Sequence, residues 1–208
     1  MHHYPDSPRP EVAEFVPATT KRLLDVGCFQ GAFGARLVER GIEVWGVEVD
    51  EFAARVASTR LTRVLVGAYP AVLPAGETFD CIIFNDVLEH IVDPQRVLAV
   101  ARSHLTERGC VIASLPNVRN ISVIAPLVLY GRWDYADAGL LDRTHVRWFT
   151  KSTMRELFEG AGYRVERQVP INATALTGRL RVLKLLGRRN EEFVVAQYLL
   201  LAHPCQTA

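Results

Sequence analysis

The stretch "DVGCFQGAFG", Asp25 to Gly34, follows the apolar run "RLL" and leads into a helical pattern that closes at Gly41. Glycines at such a junction let the backbone approach a ligand, and the free N–H groups at the helix start face it. Gly27 and Gly31 are separated by three residues, and Phe29 stands where a GxGxxG loop would carry its middle glycine. Taken alone, the loop suits a plain strand-to-helix turn as well as a nucleotide cradle. Its surroundings decide between them. Strand-like runs recur along the chain as "RLLDVG", "EVWGVEV", "RVLVGA", "FDCIIFN", "CVIASLP", "YRVERQVP" and "EFVVAQYLLLA". Most are too continuously apolar for half-exposed strands, which predicts a buried, mainly parallel sheet. Helical patterns over 31–40, 50–60, 94–105 and 152–160 lie between them, the last with Thr150 or Ser152 as its N-cap. Strand and helix in alternation give a three-layer α/β sandwich, with the ligand beyond the carboxyl ends of the strands.

Composition limits the function. The 208 residues are 49% hydrophobic and 23% charged, enough for one sizeable core, so a single domain over 1–208 is expected. A formal net charge of +1 leaves no general basic footprint, and nucleic acid binding would have to rest on a local patch. No apolar run is long enough to span a bilayer, and the polar, proline-rich "MHHYPDSPRPEVAEF" does not read as a signal peptide. Cys28, Cys81, Cys110 and Cys205 have no CxxC spacing and read as reduced thiols of a cytoplasmic protein.

Glu48 closes "EVWGVE" roughly twenty residues after the loop, where a carboxylate can accept hydrogen bonds from both ribose hydroxyls. Asp50 competes for that role, but a helix follows it at once and an N-cap is the more economical account. An adenosine-containing ligand is therefore favoured. The order "LLDVGCFQGAFG", "VWGVEVD", "FDCIIFNDVLEHIVDP", "LTERGCVIASLPN" closely resembles the class I S-adenosylmethionine-dependent methyltransferases over residues 23–117. The later block "GRWDYADAGLLDRTHVRWFTKSTMRELFEGAGYRV" is similar to a bacterial subgroup met beside glycosyltransferases and cell-surface polysaccharide genes.

That resemblance implies a Rossmann-like, seven-stranded, mostly parallel sheet whose last strand runs antiparallel. It implies S-adenosyl-L-methionine as cofactor, with the product S-adenosyl-L-homocysteine. Asp25, Gly27, Cys28, Phe29 and Gly31 would shape the loop around the methionine part, and Glu48 would hold the ribose. Val49 would flank the adenine, Gly67 and Ala68 would approach its edge, and Asn85 would lie beside the sulfur. Ala68 stands where the family often has an acidic residue.

In "NDVLEH", Asp86, Glu89 and His90 fall at i, i+3 and i+4, which on a helical turn places them on one side. One reading is a helix start stabilised by acidic residues. The sharper reading adds His145 from "DRTHVRWF", giving two carboxylates and two imidazoles that would suit a divalent metal. The set is similar to the metal site of small-RNA 2′-O-methyltransferases and some ubiquinone-pathway O-methyltransferases, with Asp86 in place of the usual Glu. A metal-free base is the preferred expectation, His145 first and His90 second, because imidazole titrates near neutral pH.

Residues 117–149 form the expected acceptor-site insertion. Arg119, Tyr130, Trp133, Tyr135 and Arg143 there are candidate substrate contacts, aromatic planes suiting sugar faces and arginines suiting phosphates or carboxylates. Residues 1–20 read as a lead-in or lid with Tyr4 and Arg9. The basic amphipathic stretch 174–189 reads as a connecting helix, with contact to an anionic membrane as the alternative. O-methylation of a small molecule or sugar precursor by a histidine base is the expected activity, with a glycosyltransferase as a candidate partner. The alternatives are a metal-assisted RNA ribose methyltransferase and a non-catalytic, cofactor-binding partner of a glycan assembly enzyme.

Overall fold

A computed structural model describes residues 6–173 and 188–205. Strands β1 Arg22–Val26, β2 Glu43–Glu48, β3 Arg63–Val66, β4 Phe79–Asn85, β5 Leu105–Pro116, β6 Tyr163–Ala173 and β7 Val195–Pro204 join in one sheet of order β3-β2-β1-β4-β5-β7-β6. β1 to β5 run parallel, and β7 is antiparallel to both β5 and β6, as expected for the last strand.

The continuous apolar runs become strands buried on both faces. Leu24 and Val26 of β1 join Val47, Ile82, Phe84, Val111 and Ala113 on one side, under Leu98 of α4 (Pro94–Ala101) and Met154 and Phe158 of α6 (Lys151–Gly160). Leu23, Val44, Cys81, Ile83 and Ile112 point to the other side, with Val12 of α1 (Pro10–Ala13), Phe33 and Leu37 of α2 (Ala32–Glu39) and Ala57 of α3 (Glu51–Ala57). The alternation along each strand is the two-residue period of the pleat. The result is the expected three layers.

Local signals hold where a side chain reaches the backbone. Asp50 caps α3, its carboxylate accepting from Ala53 N at 2.7 Å. Thr150 caps α6 in a reciprocal box with Thr153. Two readings are corrected. The helix expected over 94–105 stops at Ala101, turns through a 3-10 segment Arg102–His104, and gives way to β5 at Leu105. The turn in "NDVLEH" is a 3-10 segment of only Leu88–His90, and Asp86 precedes it with a left-handed φ of 54°. Within 117–149 lies a helix with no sequence expectation, α5 (Ile121–Tyr130), capped by Asn120. Tyr4 and nearly all of the 174–189 stretch lie outside the described residues.

Candidate active site

The carboxyl ends of β1, β2 and β4 converge on the opening loop. Gly27 and Gly31 have φ of 74° and 83°, and Phe29 is left-handed at 47°. A Cβ on Gly27 would lie 2.6 Å from Val87 Cγ2, so glycine there lets the β1 loop meet the segment that follows β4. Gly46 does the same on β2, where a Cβ would sit 2.5 Å from Cys28 Sγ. The backbone N–H of Phe29 donates to Glu48 Oε2 at 2.8 Å, and that of Asp50 donates to Oε1 at 2.9 Å. Phe29 thus helps fix the buried Glu48 carboxylate through its main chain.

Asp25 is buried, and its Oδ1 has no partner among the described residues. Burial, and then the charge of Glu48, push its pKa up to about 8. Asn85 Oδ1 is a second orphaned buried acceptor at the end of the adjacent β4. Val49 and Ala68 are exposed on the same edge of the sheet, and Gly67, at φ 130°, donates its N–H to Glu48 O at 2.8 Å. Cys28 is buried, with its thiol pKa raised by burial first and Asp25 second.

The residues expected beside the transferred group divide in two. The carboxylate of Asp86 is held by other partners. Its Oδ1 accepts from Ser114 Oγ and Gln197 Nε2, each at 2.8 Å, and its Oδ2 pairs with Arg9. Asp86 has a left-handed backbone, and its carboxylate is tied to β5 and β7 through Ser114 and Gln197. Glu89, His90 and His145 do come together, with one ligand-type atom from each within 4.8 Å of the others. Asp86 is not part of that group.

Glu89 is only 1% exposed, its Oε2 has no partner among the described residues, and its Oε1 lies 4.0 Å from His145 Nε2. Burial, followed by the charge of Asp86, raises its pKa well above the ordinary value. Burial, followed by His90, lowers that of His145. The two rings meet edge to face, 4.8 Å between centroids. His145 Nδ1 faces Leu140 O at 3.3 Å, and His90 Nδ1 faces Thr144 O and Oγ1. The peptide N–H groups of Val146 and Arg147 both donate to Glu89 O, locking the His145 loop onto the turn after β4.

The candidate substrate residues sit farther out. Trp133 meets Trp148 edge to face at 5.7 Å, with Tyr135 6.4 Å from Trp148. Tyr130 is 74% exposed at the end of α5. Arg143 is exposed and pairs with Asp137, whereas Arg119 pairs with Glu192 and lies over Phe193. Arg119 is therefore engaged in holding the chain after 188 against β5.

Comparison with known proteins settles the family. Residues 1–168 match the family described as a methyltransferase domain. The chain belongs to that methyltransferase family. An uncharacterized methyltransferase of Mycobacterium bovis is 27% identical over 140 residues, covering 64% of this chain and 68% of that one. A ubiquinone biosynthesis O-methyltransferase of Cereibacter sphaeroides is 28% identical over 144 residues, 66% of this chain and 53% of the relative. This methyltransferase thus aligns with about half the length of that relative. A SAM-dependent methyltransferase from Archaeoglobus fulgidus has a similar fold, with a TM-score of 0.68, 19% identity, and coverage of 93% and 91% of the two chains. A possible histamine N-methyltransferase from Thermotoga maritima reaches 0.65 at 16% identity, covering 97% and 89%.

The protein is a class I S-adenosylmethionine-dependent methyltransferase. The residues present fit that cofactor. Glu48 presents two fixed oxygens, the loop leaves Gly27 without a side chain, and Asp25 and Asn85 hold buried acceptors that lack donors among the described residues. No helix among the described residues is long and apolar enough to cross a membrane. Sequence reasoning placed Arg9 only in a lid, and it missed Ser114 and Gln197, because their link to Asp86 spans β4, β5 and β7 and has no sequence spacing of its own.

Proposed function

We propose that the methyltransferase methylates a hydroxyl group of a small acceptor, with His145 Nε2 taking the hydroxyl proton. The observation that carries this reading is the position of Nε2 beside the buried Glu89 carboxyl, 4.0 Å away, while Nδ1 faces a backbone carbonyl. A hydrogen on Nδ1 toward Leu140 O leaves the lone pair on Nε2. The lowered His145 pKa keeps that ring neutral near pH 7, and the raised Glu89 pKa favours the neutral form of its carboxyl. A neutral pair accepts a proton without first losing one. S-adenosylmethionine, when bound, supplies an electrophilic methyl on a sulfonium, so positioning and charge complementarity provide most of the remaining catalysis.

Similarity to ubiquinone biosynthesis O-methyltransferases supports oxygen as the methylated atom and a small molecule as acceptor. Trp133, Trp148 and Tyr135 supply stacking faces for an aromatic ring or a sugar, which keeps a glycan precursor, and with it a glycosyltransferase partner, within the same reading. The test is His145→Ala assayed on a panel of phenols and sugars by release of S-adenosylhomocysteine. Turnover is expected to fall about a hundredfold or more with cofactor affinity unchanged. Normal turnover removes His145 from the base role.

A second reading is metal-assisted transfer, favoured by the closeness of Glu89, His90 and His145. Two imidazoles and a carboxylate make a donor set suited to zinc or another first-row divalent ion. Activity that survives exhaustive chelation rules it out.

A further inference from the structure

The loop that carries His145 also holds the second imidazole of the site, through two residues that the base assignment does not use. Asp142 and Thr144 precede His145 in "DRTH", and Asp142 is only 1% exposed. Its Oδ1 accepts from the Thr144 peptide N–H at 2.8 Å and from the Thr144 hydroxyl at 2.6 Å, while its carbonyl accepts from His145 N at 3.0 Å. The carboxylate thus closes a tight turn and fixes the hydroxyl rotor of Thr144.

Thr144 faces the half-buried His90 with two oxygens. His90 Nδ1 lies 3.0 Å from Oγ1 and 3.2 Å from the Thr144 carbonyl. A carbonyl oxygen can only accept, and the one hydrogen of the Thr144 hydroxyl is directed to Asp142, so Oγ1 also meets Nδ1 as an acceptor. Both contacts require the hydrogen of a neutral His90 ring on Nδ1, which leaves the lone pair on Nε2.

The loop grips the turn after β4 on both sides of that ring. Val146 N and Arg147 N donate to Glu89 O, and Arg147 Nε donates to Val92 O at 2.9 Å. These bonds hold the main chain around His90, and Thr144 then sets the side chain. The rings of His90 and His145 meet edge to face, and ligand-type atoms of both lie within 4.8 Å of one another and of Glu89. His145 Nδ1 likewise faces a carbonyl, that of Leu140, so both Nε2 atoms carry lone pairs. Such a pair offers a methyl acceptor one nitrogen to take the hydroxyl proton and a second to bind another donor hydrogen of the same molecule.

We propose that Asp142 and Thr144 are positioning residues for methyl transfer: Asp142 fixes the Thr144 hydroxyl, the hydroxyl fixes His90 Nδ1, and His90 Nε2 is thereby presented beside His145 as the nitrogen that orients the acceptor. This rests on the reading of His145 as the base and adds to it the residues that act through His90.

The test reads the ring and the rate separately. Ring-nitrogen chemical shifts of the full chain, isotopically labelled in nitrogen, report which nitrogen of His90 carries the hydrogen, the signal being assigned by its loss in His90→Gln. The wild type is expected to show the Nδ1–H form. Thr144→Val removes one of the two acceptors but keeps the peptide N–H of the turn, and it is expected to show a mixture with the Nε2–H form. With the best acceptor of the phenol and sugar panel, the same variant should lower kcat about five- to tenfold, the worth of one hydrogen bond, at unchanged affinity for S-adenosylhomocysteine. Thr144→Ser restores the hydroxyl and should recover both the ring form and kcat. Asp142→Asn keeps an acceptor oxygen in the turn without its charge and should fall between Thr144→Val and the wild type. A wild-type ring with its hydrogen on Nε2 overturns the proposal. So does a Thr144→Val enzyme whose ring or whose kcat matches the wild type, because Thr144 then only closes the turn. The ring readout needs no acceptor and is independent of the base assignment, which fails instead if His145→Ala turns over normally or no member of the panel is methylated.

Discussion

At the scale of single residues, the site is built from groups that folding alone would disfavour. Asp25 is the clearest. Its buried carboxyl has a pKa raised to about 8, against an ordinary value of 3.8 in the unfolded chain. A group whose folded pKa is raised contributes its full stability below the unfolded value and loses it as pH climbs through the folded one. Stability attributable to Asp25 therefore declines between about pH 4 and pH 8. Asp25→Asn removes that slope and is expected to be more stable than the wild type at pH 9, on the order of a few kcal/mol, with little difference near pH 4. Urea unfolding at several pH values measures this, and a variant less stable at pH 9 would contradict it. The same change should weaken binding of the cationic S-adenosylmethionine, because the orphaned oxygen no longer ionises. Its place next to the end of an apolar strand and the family resemblance marked Asp25 as part of the loop. Neither revealed that its buried oxygen lacks a partner among the described residues.

At the scale of elements, legibility follows burial. The β1, β2 and β4 segments were readable because strands buried on both faces carry unbroken apolar runs. The start of β5 was not. Thr106, Glu107 and Arg108 are polar, and the register shift between Phe79 and Cys81 sets this stretch apart from the regular pairing that resumes at Cys110. α5 was missed for a different reason. "ISVIAPLVLY" is apolar all round, with Pro126 inside, so it carries no helical periodicity, and Val128, Leu129 and Tyr130 are exposed. In the site, spacing placed Asp86, Glu89 and His90 on one face, but a left-handed residue before a short 3-10 turn moved Asp86 to the Arg9 network. Caps were readable because their chemistry is local. Thr150→Ala removes the α6 box and should cost about 1 kcal/mol in chemical denaturation. Since the peptide N–H of Val118 donates to Phe149 O at 2.9 Å, the same variant tests whether the insertion is held by α6: acceptor KM should rise while cofactor affinity stays.

At the scale of the whole molecule, two apolar faces cover one sheet and the cofactor loop lies at its carboxyl edge. Loops from β1, β2 and β4 and the segment ahead of α1 all meet at the carboxyl edge, while the four cysteines are free, with Cys81 opposite Cys110 across β4 and β5. No disulfide supports the fold, so its stability should be indifferent to reductant and sensitive to ligand. The net charge of +1 offers no general attraction to RNA, so an RNA acceptor would have to show salt-sensitive binding from a local patch. A ligand that binds only the folded chain adds about 2.7 kcal/mol at a hundred times its dissociation constant. For a domain of this size that is roughly 5–10 °C in Tm. S-adenosylhomocysteine should therefore raise the single melting transition by that amount, and a transition that does not move at saturating ligand would contradict the cofactor assignment while leaving the fold as it is.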